Sequence, residues 1–192
     1  MAARTQVADI NRELYDFVKS EEGSYRAHAG LTEDIVREIS ARKNEPAWML
    51  ELRLKSLAIY HEMPVSDWGP SIDGLDMDNI VTYVKPPTEQ ESNWDDVPED
   101  IKDTFERLGI PQAERAYLAG VGAQYDSELV YHNIQKSAAE QGVVYSGIEE
   151  ALHGPHAERI REHFMKLITP RDHKFAALHG AVWSGGSFVY VP

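Results

Sequence analysis

Histidine is the residue type in this sequence best suited to metal binding or acid–base chemistry. His153, His156 and His163 lie within eleven residues, with Glu158 and Glu162 between the last two. The zinc motif H-E-x-x-H needs histidines four apart on one helix face, whereas His156 and His163 are seven apart. We therefore interpret the group as surface histidines on an amphipathic helix. A small stand-alone metalloenzyme built on histidines and carboxylates is kept as an alternative.

Other groupings have suitable residue types without a suitable arrangement. Asp126, Ser127 and His132 include the types of a catalytic triad, yet no G-x-S-x-G nucleophile elbow is present. The glycines at positions 120 and 122, and at 185 and 186, match neither phosphate-binding glycine motif. The sequence therefore assigns no catalytic, cofactor-binding or metal-binding residue, and we do not expect an enzyme.

Composition narrows the class of protein. The 192 residues contain no cysteine, which excludes disulfides and thiolate ligands from this chain. The formal net charge of -13 argues against a nucleic-acid or anionic-membrane partner, since either favours a basic face. Residues Met1 to Val18 have no apolar core of a secretory signal, and no stretch approaches the roughly 18 apolar residues of a membrane span. We expect a cytoplasmic protein.

Apolar spacing predicts a mainly helical chain. Thr32 is suited to cap a first helix that buries Ile35 and Ile39. A second helix is expected from a cap at Asn44 to about His61, with a broad apolar stripe. Within the helices, Ala58, Leu167 and Ile168 are expected to face inward, and Ser56 to face water. Further helices are expected after Pro98, from Pro111, from Asp126 or Ser127 to Gly142, over His156 to Ile168 and over Lys174 to Val182.

Short β segments interrupt this pattern. Ile80 to Val84 is a β-branched and aromatic run closed by two prolines, and Val143 to Tyr145 is a candidate brief strand. Phe188 to Val191 follows a Ser-Gly-Gly-Ser loop and reads as a terminal strand. Because a strand needs a partner for its backbone groups, we interpret this last one as the start of a β-rich domain. Pairing with residues 80–84 is the alternative.

Several long strings resemble the SufB family of SUF-system iron–sulfur cluster assembly proteins, and they favour it over the paralogous SufD. They cover well over half of the chain in the family's order: NEPAWMLELRLKSLAIYHEMP (44–64), WGPSIDGLDMDNIVTYVKP (68–86), WDDVPEDIKDTFERLGIPQAE (94–114), LAGVGAQYDSELVYHNI (118–134) and KFAALHGAVWSGGSFVYVP (174–192). Residues 137–171, which include the three clustered histidines, are the least similar to the family's sequences.

The resemblance implies a helical amino-terminal domain that leads into a parallel β-helix core. It implies a non-catalytic scaffold subunit that works with the ATPase SufC and with SufD or a second SufB, and a sulfur donor or iron source as a further docking candidate. The iron–sulfur cluster would belong to the full-length complex, because no position here matches the family's cluster-building residues. A stand-alone acidic helical interaction module is the alternative function.

These expectations divide the chain into three parts. Residues 1–30 are expected to be weakly structured or to form a short helix. Residues 31–183 are expected to form the helical amino-terminal domain, with one short strand near residues 80–84. Residues 184–192 are expected to start the β-helix core, whose remainder would lie outside this chain.

Overall fold

The computed structural model describes residues 25–69, 71–87, 89–107, 118 and 120–192. Over these residues the chain is a mixed α+β fold. Its helices are α1 (Glu33–Arg42), α2 (Ala47–Glu62), α3 (Glu99–Arg107), α4 (Lys136–Ala139), α5 (Ile148–Ala151), α6 (Ala157–His163) and α7 (Lys174–Val182). Its strands are β1 (Tyr25–Arg26), β2 (Val84–Lys85), β3 (Gly120–Tyr125), β4 (Glu128–Ile134), β5 (Val144–Gly147) and β6 (Ser187–Tyr190).

Helix α1 begins at the predicted cap and buries the predicted face. The Thr32 side chain accepts a hydrogen bond from the Ile35 amide, which satisfies one of the free donors of the first turn. Arg42 lies in the last turn, where a cation stabilises the negative end of the helix dipole. Ile35 and Ile39 are buried, so the predicted inward face is confirmed.

Helix α2 is the longest described helix, but several details of its prediction are wrong. Pro46, and not Asn44, is at the N-cap; Asn44 instead has a positive φ of 49° in the preceding turn. Ala58 is exposed and Ser56 is fully buried, the reverse of the expected orientations. The helix is covered on more than one side, so a single stripe of large apolar residues does not describe its buried surface.

Helix α7 packs closely along α2 because its contact face is built from small residues. Ala177 and Ala181 have no exposed surface. A Cβ atom at Gly180 would lie 2.5 Å from Ser56 Oγ, so the glycine is required for the observed separation of the two helices. The predicted bounds of this helix, Lys174 to Val182, are confirmed.

The predicted strand near residues 80–84 is shorter and shifted. Residues Met77–Asn79 form a 3₁₀ turn, and the ladder itself contains only Val84 and Lys85. These pair antiparallel with Tyr25–Arg26. Bonds from the Ala27 amide to Tyr83 O and from the Gly30 amide to Ile80 O continue the pairing irregularly.

The helix expected from residue 126 to residue 142 is mostly wrong. Strands β3 and β4 form an antiparallel hairpin there, and Asp126 turns the chain with a positive φ of 52°. The pairing register skips Val130, so β4 bulges and Leu129, Val130 and Tyr131 are all buried. An apolar interval of four residues occurs in a strand as well as in a helix, because strand side chains alternate with period two. Only the short α4 is helical in this stretch.

The last strand has a partner within the described chain. Strand β6 pairs antiparallel with β5, from Gly147↔Ser187 to Val144↔Tyr190. The alternative of pairing with residues 80–84 is therefore wrong, whereas the brief strand predicted at 143–145 is present one residue later. The interpretation of the last strand as the start of a β-rich domain stays a prediction. All three strand ladders of the described residues are antiparallel.

The helix predicted from His156 to Ile168 is shorter than expected. It ends at His163, and Met165 then adopts a positive φ of 52°. Leu167 is 98% exposed and Ile168 is 66% exposed, so the expectation that they face inward is wrong. Helix α3 follows Pro98 as predicted and buries Ile101 and Phe105. The helix expected from Pro111 and the expectation for residues 1–24 lie outside the described residues.

Candidate functional site

The clustered histidines have different surroundings. His153 is exposed in the turn after α5, and His163 is exposed at the end of α6, with Nε2 3.9 Å from a Glu162 carboxylate oxygen. His156 precedes α6, and its ring centroid lies 4.6 Å from that of Tyr190 on β6. Across the part of the chain that the structure describes, no three His, Cys, Asp or Glu side chains are placed to share a metal ion. The metalloenzyme alternative therefore gains no supporting geometry.

The residues of triad type are not arranged as a triad. Ser127 Oγ accepts a hydrogen bond from the Val84 amide at 3.0 Å and thereby joins β2 to the hairpin. His132 lies towards the other end of β4, with its ring centroid 4.5 Å from that of Tyr145. Burial lowers the pKa of His132, and its Nε2 is buried without a hydrogen-bond partner among the described residues. This histidine belongs to the contact between β4 and β5.

The glycine pairs serve packing and turns. A Cβ atom at Gly120 would lie 2.5 Å from the Tyr145 ring, so the missing side chain allows that ring to cover β3. Gly185 and Gly186 have positive φ values of 66° and 128°, which a glycine adopts without strain. The Gly185 amide donates to a Glu149 carboxylate oxygen at 2.8 Å. These contacts explain both pairs through local structure.

A buried lysine joins three parts of the chain that are distant in sequence. Lys43 Nζ lies 2.9 Å from Glu149 Oε1 and 3.2 Å from Glu128 Oε1, and its side chain is 2% exposed. It also donates to Ser127 O at 3.4 Å, and Tyr83 donates its hydroxyl hydrogen to Glu128 at 2.5 Å. Burial and then the Glu128 hydrogen bond raise the pKa of Tyr83. We call Lys43, Glu128, Glu149 and Tyr83 the lysine network.

A second buried ion pair braces the end of α7. Arg53 on α2 donates to both carboxylate oxygens of Glu45, at 2.7 and 2.5 Å, and neither side chain has exposed surface. It also donates to Ala181 O at 3.1 Å and Trp183 O at 3.0 Å. The guanidinium lies 4.6 Å from the centre of the Trp183 ring. Arg53 thus satisfies carbonyls that the end of a helix leaves free.

Sequence reasoning missed both networks. The sequence alone assigns no functional role to Lys43 or to Arg53. Lys43 is 85 and 106 residues away from its two carboxylate partners. Only the Glu45–Arg53 spacing of eight residues is local, and it does not suit a pair on one helix face. The sequence therefore contains no local signal for either.

The edge of β6 borders an apolar groove of about 520 Å³. Phe164, Phe188 and Val191 line it, with Arg159 at the rim, where its guanidinium lies 4.8 Å from the centre of the Tyr190 ring. Val191 is 67% exposed. Within the described residues β6 is paired on one side only. This edge can accept a further strand, since its outer backbone groups have no ladder partner there.

These features describe a mixed α+β chain with two buried ion networks and an apolar groove beside the β6 edge. Among the described helices, none combines the length and the apolar character that crossing a bilayer requires. No protein-family model matches the sequence.

Individual relatives match almost the whole chain. It is 50% identical over 184 residues to a protein of Staphylococcus aureus strain USA300 that is named an iron–sulfur cluster assembly SufBD family protein. It is 49% identical over 187 residues to a relative of that name from Staphylococcus epidermidis strain RP62A. These alignments include 96% and 97% of the chain, but 39% and 40% of the relatives. The chain thus spans about two fifths of the length of the curated relatives it matches.

Proposed function

We propose that this chain is a non-catalytic region of a SufB-like scaffold subunit for iron–sulfur cluster assembly. The observation that carries the proposal is the 50% identity over 96% of the chain to a protein named for that process. Identity at this level along the whole alignment supports the same fold and the same molecular setting. The sequences of residues 44–64 and 174–192 resemble SufB, which supports SufB over SufD.

In this proposal the chain positions other parts and leaves the cluster chemistry to them. The 192 residues contain no cysteine, so the thiolates that usually hold such a cluster come from elsewhere in the assembly. The lysine network and the Arg53–Glu45 pair join distant segments of the described chain and so stabilise its fold. The open edge of β6 is where a β-rich core would add its first strand, and a parallel β-helix is the form that the resemblance favours.

The partners in this proposal are the ATPase SufC and SufD or a second SufB-like subunit, with a sulfur donor as a transient partner. The iron–sulfur cluster is the cargo of the complex. We expect the chain to bind these partners in the cytoplasm. The partners and the compartment rest on the resemblance, and the names of the relatives support the link to iron–sulfur cluster assembly.

A chimera tests the proposal directly. The region of the Staphylococcus aureus relative that aligns with this chain is replaced by the chain, and the chimera is expressed in cells depleted of that relative. We expect the chimera to co-purify with SufC and to restore aconitase activity, an iron–sulfur-dependent readout. A chimera that is folded by circular dichroism but binds no SufC and restores no activity would refute the proposal.

A second candidate is a stand-alone acidic interaction module. The observation that favours it is the net charge of -13 together with the exposed carboxylates of α3 and of the turn before it, among them Asp95, Asp96, Asp103 and Glu106. Such a module would bind a basic partner without SufC or SufD, and moderate salt would weaken the binding. Binding of that kind by the isolated chain, with an inactive chimera, would favour this candidate.

A further inference from the structure

A second surface pocket lies away from the β6 groove, between the end of α2, residues 65 and 72–77 of the loop that follows it, and the first turn of α7. Its volume is about 340 Å³. Tyr60, Val65, Leu75, Met77 and Phe175 give it an apolar lining. Val65 is 47% exposed, Leu75 is 45% exposed and Phe175 is 38% exposed. We call it the loop pocket.

The loop that forms this pocket also presents a large aromatic side chain to solvent. Trp68, three residues after Val65, is 80% exposed. Several large apolar side chains left in water on one short loop are unfavourable unless a partner covers them. Tryptophan in particular is enriched among the residues that carry most of the binding energy at protein interfaces.

The charge around the loop pocket is negative. Asp73 lines it, and Asp67, Asp76 and Asp78 are exposed on the same loop. Burial and then the negative charge of Asp78 raise the pKa of Tyr60, a residue that lines the pocket. Asp76 also caps the Met77–Asn79 turn, but that hydrogen bonding leaves its negative charge in place.

The positive charges near the pocket are fewer than the negative ones. Lys174 lines the pocket, but its Nζ donates to Tyr60 O and Met63 O, both at 2.8 Å. It also lies 4.4 Å from the centre of the Tyr60 ring. Arg171 lies 3.9 Å from a Glu62 carboxylate oxygen at the end of α2. Lys174 keeps its positive charge, but the four aspartates outnumber it, so the rim of this apolar pocket is net negative and favours a cationic partner.

We propose that the loop pocket is a docking site for a protein segment that inserts one aromatic or large aliphatic side chain and flanks it with lysine or arginine. The apolar lining takes the anchor, and the aspartates of residues 67–78 attract the flanking cations. Such charges mainly raise the association rate and select the partner, while the anchor supplies the affinity. This site goes beyond the proposed role in cluster assembly and stands independently of it.

A selection from a random dodecapeptide display library tests the site on the intact chain. The library is selected on the wild-type chain after counter-selection on the Leu75→Ser, Phe175→Ser double variant. Both side chains are substantially exposed, so the double variant is expected to stay folded, and circular dichroism checks this. We expect enriched peptides to share one aromatic or large aliphatic residue with neighbouring Lys or Arg.

The selected peptide of highest affinity is then titrated against matched variants. Leu75→Ser is expected to weaken binding about tenfold, since an anchor contact in a pocket is typically worth that factor. Leu167→Ser removes a leucine that is 98% exposed and lies outside the pocket, and it is expected to leave binding unchanged. Asp73→Asn is expected to weaken binding more at low salt than at 0.5 M salt, whereas Asp103→Asn on α3 is not.

Two results would overturn the docking site. One is a set of enriched peptides without a basic, apolar-anchored consensus. The other is a peptide whose affinity falls equally with Leu167→Ser and Leu75→Ser. Neither result depends on SufC, on SufD or on cluster assembly, so failure here is distinct from failure of the chimera.

Discussion

Replacing Glu45 by glutamine is expected to destabilise the protein strongly, because the Arg53 guanidinium would then be buried without a counter-charge. The two side chains have no exposed surface, and two hydrogen bonds of 2.7 and 2.5 Å join them. Glutamine retains the size of the side chain and one acceptor oxygen. The substitution therefore tests the charge of Glu45 more than its packing.

The magnitude follows from the surroundings of Arg53. Breaking one partner of a buried ion pair typically costs about 3–5 kcal/mol in the free energy of unfolding. The carbonyls of Ala181 and Trp183 still accept hydrogen bonds from the guanidinium in the variant, which favours the lower end, about 3 kcal/mol. For a chain of this size that corresponds to a fall in melting temperature of roughly 6–12 °C.

The assay is urea denaturation followed by tryptophan fluorescence, since Trp183 packs on the Arg53 guanidinium. Glu140→Gln is the matched control, because Glu140 is 65% exposed and its oxygen is 3.7 Å from Lys136 Nζ. An exposed pair of that kind contributes under about 1 kcal/mol. The double variant Glu45→Gln, Arg53→Met removes the buried charge as well and is expected to recover part of the loss.

Two results would contradict a stabilising role for the Glu45–Arg53 pair. If Glu45→Gln lowers the free energy of unfolding no more than Glu140→Gln does, the buried pair does not stabilise the fold as its geometry implies. If the effects of Glu45→Gln and Arg53→Met are additive in the double variant, the two side chains are not coupled.

Three further substitutions probe other contacts, each followed by urea denaturation. Gly180→Val is expected to cost about 1–3 kcal/mol, because the added atoms would meet Ser56 across the α2–α7 contact, and an unchanged midpoint would show that the helices separate freely. Burial lowers the pKa of His132, so the unfolded chain binds the proton more readily and the free energy of unfolding falls as pH drops below about 6.5. His132→Phe is expected to reduce that fall between about pH 7.5 and 5.5. An unchanged dependence on pH would contradict the role given to His132. Tyr83→Phe is expected to cost about 1.5–3 kcal/mol through loss of its hydrogen bond to the Glu128 carboxylate, and no loss would argue against that bond.

Local signals in the sequence predicted the parts of the fold that local interactions determine. Thr32 caps α1 because its side chain reaches an amide three residues on, a contact that needs no distant partner. The bounds of α7 follow from its apolar spacing, and the start of α3 follows from Pro98. A helix that forms through capping and one buried face can be recognised from about ten residues.

Pairing between distant segments could not be predicted in the same way. Strand β6 pairs with β5, whose residues lie 40 to 46 positions earlier, although both lie in stretches that are predicted as short strands. The sequence predicts a helix where β4 lies, since apolar residues four apart fit either structure and the bulge at Val130 disturbs the strand alternation. The buried positions of Lys43 and Arg53 likewise depend on partners that only the folded chain brings near.

The lysine network has a consequence for the open edge of β6. Gly185, two residues before β6, donates to Glu149, and Glu149 is paired with Lys43 at the end of α1. The start of β6 is thus tied to the helical part of the chain by buried charge–charge and hydrogen-bond contacts as well as by apolar packing. A strand edge held in this way loses little further freedom when another strand adds to it, and binding is favoured when ordering has already occurred. This is a physical reason to place the proposed β-rich core at β6, and to expect that Lys43→Met would weaken its attachment without altering any residue of the edge itself.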